Sequence, residues 1–254
     1  NKESAGRLIL SGSNTYSGQT YVNAGVLNLR NNSALGSSSG ITLVAANAAL
    51  ELEGGVSIAA EPLSISGGGV GATGALRSVS GNNIFGGVLT MLANTSIGVD
   101  SGTLTLSNTG NITGSGFTLT TGGSGNLLIN SVIATVGGAL IKNGTGTLTL
   151  AGNNSYTGGT NINAGTVQVG AGGAAGAVGG LVSLAPNTRL QFNRSNSYLF
   201  AGLLDGSGTV EQLGVGGETV LNSANPTFTG SFQLTGGVLT VNNAAALGAG
   251  AVSY

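Results

Sequence analysis

Residues 152–165 read GNNSYTGGTNINAG, a run of Gly, Asn, Ser and Thr interrupted by one large aromatic, Tyr156. Alone it reads as a polar loop. It lies between two short segments, TLTL (147–150) and TVQV (166–169), in which every second residue is aliphatic. A period of two turns one set of side chains inward and the other toward solvent, the pattern of a half-buried strand. A near copy, GSNTYSGQTYVNAG, stands at 12–25. With an offset of 140 and no gap, Leu8, Leu10, Gly12, Asn14, Tyr16, Gly18, Thr20, Asn23, Ala24 and Gly25 fall on Leu148, Leu150, Gly152, Asn154, Tyr156, Gly158, Thr160, Asn163, Ala164 and Gly165.

Two weaker copies extend the series. TVLNSANPTFTGSFQLTGGVLTV (219–241) carries Phe228 in the tyrosine position and Gly237 before its last strand. VSGNNIFGGVLT (79–90) carries Phe85 there. The aromatic landmarks Tyr16, Phe85, Tyr156 and Phe228 therefore follow one another in nearly equal steps of 69, 71 and 72. This is a super-repeat of about 70 residues, which signals a solenoid or an array. Its units run over about 6–74, 75–145, 146–216 and 217–254 of one domain. Leu27 follows Leu8 at an offset of 19, and Val167 follows Leu148 at the same offset. If such strands stack in successive coils, a coil holds about 20–24 residues and a unit about three coils.

The expected fold is all-β, a right-handed parallel β-helix of some eleven coils and roughly 50 Å. Sandwich strands recur at 8–12 residues with Asn-Gly or Asp-Gly hairpins. Here Asn143-Gly144 and Asp205-Gly206 are the only such pairs. A propeller blade takes about 40–50 residues, not 70.

Composition agrees. Of 254 residues 49 are Gly, none is His, Cys or Trp, and the 15 charges leave a net −1. An apolar content of 40% supports a large core, and the Gly follow no collagen period. No basic footprint for nucleic acid is present, and no apolar run is long enough for a membrane helix. The opening NKESAGRLIL lacks the basic start and apolar middle of a signal peptide, so Asn1 reads as a cut end.

GTGTLTLAGNNSYTGGTNINAGTVQVG (144–170) closely resembles the passenger-associated transport repeat, also called the autotransporter-associated β-strand repeat. The likeness is strong at 144–170 and 6–29 and fair at 217–241, with 74–108 similar to the spacers between copies. It implies an extracellular parallel β-helix on or from a bacterial surface. It does not imply one activity, because passengers of the family include adhesins, stalks and enzymes.

Chemistry is sparse. Without His the Ser–His–acid relay is impossible. Asp100 and Asp205 read as turn residues, and a carboxylate pair needs two acids within about 5–10 Å. Glu51 and Glu53 alternate with Leu50 and Leu52, so they share the solvent face of one strand, as a charged surface or a Ca²⁺ perch. Arg189, Phe192, Arg194 and Tyr198 form the one basic-aromatic cluster, a weak candidate for glycan or partner contact. The Gly-rich runs 66–74 and 170–180 lack the Gly-Lys-Ser/Thr of a phosphate loop. No cofactor or metal is expected, and no enzyme.

The expectation is therefore an extracellular structural rod: a stalk or fibre that spans distance, with a glycan- or cell-binding adhesin as the alternative and a carbohydrate-active enzyme as a remote one. Neither end shows a polar cap, which predicts a piece of a longer chain or subunits associated end to end.

Overall fold

The structure is a computed structural model and describes residues 1–254. The chain winds into a β-solenoid of about 12 turns, about 55 Å along its axis at one strand spacing per turn. Every strand pairing is parallel. No helix is long and apolar enough to cross a membrane.

Each turn contributes to three faces. Face 1 begins with Thr20–Val22, Thr42–Val44 and Leu63–Gly67 and continues through Asn111–Thr113 and Val132–Ala134. Face 2 runs from Arg7–Leu10 and Gly25–Leu29 to Leu181–Leu184 and Leu203–Gly206. Face 3 holds Asn82–Phe85, Thr103–Leu106, Thr147–Leu150 and Thr166–Val169, and ends at Ala251–Ser253. The long strand Leu89–Val99 turns the corner from face 1 to face 2, pairing with Leu63–Gly67 on one and Leu76–Ser80 on the other. Loops 151–159 and 170–180 then stand in for face 1, until Ser197–Phe200, Glu218–Leu221 and Val238–Val241 form a ladder again.

The offset of 19 is a single coil: Leu8 stacks on Leu27, and Leu148 on Val167. Coil length varies more widely than the sequence suggests. Lys142 and Ile162 stack at an offset of 20, but Leu50 and Leu76 at 26, because the loop 68–75 bulges from the ladder. The alternation of the sequence becomes a column of core side chains: Leu104, Leu127, Leu148, Val167, Leu190, Val210 and Phe232 are each 4% exposed or less. Burying each contributes roughly 1.5–3 kcal/mol. Thr147 and Thr149, between them, stay half exposed.

The super-repeat does not mark one position around the rod. Tyr16 and Phe85 fall on face 3, Tyr156 in the loop on face 1, and Phe228 on face 2, where it bridges Gly206. Three whole coils separate the first two, whereas the later steps of 71 and 72 each carry the motif one face further. Phe85 also differs in kind: it ends a strand, between Ile58 and Leu106, where the other three occupy loops or turns.

Glycine is required at a recurring place. Gly25, Gly165 and Gly237 have φ of 68°, 71° and 64°, and a Cβ at each would lie within 2.6 Å of a carbonyl oxygen of the coil below. Both the left-handed backbone and the close approach of coils exclude a side chain.

Candidate functional site

The chain's polar side chains work mainly between coils. Asn154 shows how. Its Oδ1 accepts the N–H of Ile133 (2.8 Å) from the coil before, and its Nδ2 donates to the carbonyl of Ala177 (2.7 Å) in the coil after. Asn14 donates to Ala34 O at 2.7 Å. In the third copy Asn225 takes this part, accepting from Leu204 N (2.7 Å) and donating to Ala246 O (2.6 Å). Aligning on the aromatic puts Pro226 opposite Asn154, so the sequence hides Asn225 by a single position. Tyr156 is 2% exposed, and its hydroxyl shares a 2.6 Å hydrogen bond with Thr160 Oγ1.

A buried lysine makes a second inter-coil clamp. The ammonium of Lys142 donates to the carbonyls of Asn143, Gly144 and Ala164 at 3.1, 2.6 and 3.2 Å. Burial lowers its pKa to about 8. Lys2, which the offset of 140 places on Lys142, donates to Ser4 O and, at 3.0 Å, to Ala24 O. The offset itself was the signal that could have found this pair.

Glu51 and Glu53 lie on the outward side of face 2, but only Glu53 meets solvent. Glu51 is 1% exposed beneath Arg7 (2.9 Å), Arg77 (3.1 Å) and Asn28 (3.1 Å). Arg30 and Asn28 each reach Glu53 at 2.9 Å, and Arg77 continues to Asp100 at 2.5 Å. Burial works against the charge of Glu53, but hydrogen bonds from Asn28 and Arg30 hold its pKa below the usual value. The hydrogen bond to Asp100 leads the causes that raise Arg77. The carboxylates that sequence reading offered to Ca²⁺ are thus engaged by arginines from neighbouring coils. No three His, Cys, Asp or Glu side chains gather as a metal group. Asp100 directly follows the strand Leu89–Val99, whose Ser96 lies five ladder steps before Asp205, about 24 Å along the rod. The structure does not bring the two Asp together.

The 189–198 cluster divides. Phe192 is 1% exposed and packs on Phe200 and Tyr198 in the core. Arg194, 8% exposed, lies over the Tyr198 ring (4.5 Å) and donates to the carbonyls of Ala174 and Gly176, so it ties down the Gly/Ala loop 170–180. Its guanidinium is engaged by carbonyl oxygens of the chain itself. Arg189 remains at the surface, paired with Glu211 at 3.1 Å. Burial opposes the charge on Glu211, but Gln191, Thr235 and Arg189 hold its pKa low.

The passenger-associated-transport-repeat family matches residues 1–29 and 140–169. One curated relative, the adhesin BmaC autotransporter of Brucella suis biovar 1 (strain 1330), is 42% identical over 69 residues, 27% of this chain and 2% of its own length. This chain thus spans a small fraction of that relative. No solved structure matches. The inter-coil Asn and Lys clamps fall largely inside the two matched segments, so the chain carries passenger-associated transport repeats at those two places within a parallel β-solenoid.

Proposed function

We propose that this segment acts as a rigid extracellular spacer, a stalk that holds other surfaces away from the bacterial cell. The supporting observation is the continuous parallel pairing of face 2 from Arg7 to Gly206 and of face 3 from Ser57 to Ser253, which overlap along most of the rod. Backbone bonds link each turn to its neighbours, and side-chain contacts reach one or two turns, so stiffness is distributed along the rod rather than concentrated in one hinge. The small, mutually compensated charge leaves the surface with little long-range field. In this reading the segment is not catalytic, and its length is its function.

Deleting whole coils from the surface protein tests this. Removal of three coils should shorten the distance between cell surface and the far end of the rod by about 14 Å, with the remaining coils still folded. Force microscopy on cells or negative-stain images would read it. An unchanged reach would sink the proposal. The adhesin reading draws its support from the name of the Brucella relative. Of the 189–198 cluster it retains Arg189 at the surface and Tyr198 partly so, and loss of cell binding in Arg189→Ala would favour it.

A further inference from the structure

On the first part of face 2 Arg7, Arg30, Glu51, Glu53, Arg77 and Asp100 satisfy one another, and toward the end of face 3 Arg189, Gln191, Glu211, Gln233 and Thr235 do the same. Between these networks, on face 3, lies a shallow depression of about 430 Å³. Asn126, Thr147, Thr149, Gln168 and Asn193 line it, with Leu128 in its floor and no charged group in its wall.

Here the polar atoms are left over. Asn126 Oδ1 accepts the Thr147 N–H (2.9 Å), which leaves its Nδ2 free. Gln168 Nε2 donates to Gly170 O (2.9 Å), which leaves its Oε1 free. The hydroxyls of Thr147 and Thr149 and the amide of Asn193 bond nothing else in the chain. A mixed set of unpaired donors and acceptors with no formal charge matches a ligand whose groups both donate and accept. An anion or cation would find no counter-charge in this wall. A peptide added as an extra strand has no access, because face 3 is the middle of a continuous ladder and its backbone groups are already paired.

We propose that this depression binds a neutral glycan lying along the rod axis. Sugar hydroxyls would meet the free amide and hydroxyl groups, while Leu128 gives an apolar seat for the C–H face of one ring. From the coil of Asn126 to the coil of Asn193 is three ladder steps, about 14 Å, enough for a short oligosaccharide. The site is independent of the spacer role, so its failure leaves that role standing.

The test is an array of immobilised neutral glucans, galactans and chito-oligosaccharides beside heparin and polygalacturonate, probed with the whole chain at 0.15 and 1 M NaCl (about 8 and 3 Å screening lengths). At least one neutral class should bind, with a signal that changes less than about twofold between the two salts. Thr149→Val and Gln168→Leu, singly, should weaken that binding about tenfold, roughly one 1.4 kcal/mol step, without moving the melting temperature. Gln233→Leu, outside the depression, should leave it unchanged. Binding to no neutral glycan, binding only to the acidic polymers and lost in salt, or full binding by both variants overturns the proposal. If either variant melts early, Asn193→Ala in the rim decides by the same readout.

Discussion

The two strong copies of the repeat, 12–25 and 152–165, share their key residues and differ in what lies beneath them. Tyr156 is 2% exposed, whereas Tyr16 is 39% exposed. A Cβ on Gly158 would come within 2.7 Å of the carbonyls of Gly137 and Gly138, while one on Gly18 would meet nothing within 4 Å. Asn154 binds coils on both sides, but Asn14 bonds only to the coil that follows it. The second copy sits on the coil containing Ile133, and the first lies in the opening turn of these residues. The motif is thus one half of an interface between coils, and its residues act fully only when the preceding turn is in place.

The largest effect should separate the tyrosines. Tyr156→Ala should cost about 3–5 kcal/mol by emptying a core site, and Tyr16→Ala under about 1.5 kcal/mol. Chemical denaturation of the two variants reads the difference, and equal losses would break the comparison. Next come the glycines. Gly158→Ala should cost about 1–3 kcal/mol because the coils must part to admit a methyl group. Gly18→Ala should be near neutral or stabilise by up to about 1 kcal/mol, having space and no left-handed backbone to satisfy. Amide hydrogen exchange at Val182 and Leu184, whose strand continues the ladder over 160–162, would localise the damage of Gly158→Ala.

A third effect is a slope with pH. Lys142 has its pKa lowered by burial to about 8, against about 10.4 for a free lysine. Between those values the unfolded chain holds more protons than the folded one, so stability should rise as pH increases from about 8 to 10.4. Below pH 8 both states carry the proton and the cost of burying the charge is constant. Lys142→Met should remove this rise in a series of denaturation curves. A rise that survives the substitution belongs to another group.

Much of the fold was legible in residues 144–170. The alternation in TLTL and TVQV gave the strands, and the spacing of 19 gave the coil, because both follow from local backbone periodicity. The position of each copy around the rod was not legible. It depends on how many residues each coil between copies takes up: with the bulge at 68–75, 69 residues close three whole coils, whereas the shorter coils that follow carry 71 residues one face further. Asn225 was hidden for the same reason, since an alignment anchored on Phe228 is one position out of step with the backbone that carries the amide.

The candidate contact residues were the least legible part. Arg194 and Phe192 look like surface features as a string, yet the coil turns Phe192 into the core and folds the Gly/Ala loop over the guanidinium of Arg194. Glu51 looks exposed by alternation, yet Arg7, 44 positions earlier, and Arg77, 26 later, cover it.

The sequence by itself determined the parallel β-helix and its inward aliphatic ranks, because both are dictated by side-chain period over a short stretch of chain. The tertiary structure alone decided which charges neutralise one another, which tyrosine is buried and where unpaired polar groups collect on face 3. Those outcomes depend on which side chains, about 20 positions apart, are stacked at about 4.8 Å by the winding of the whole chain.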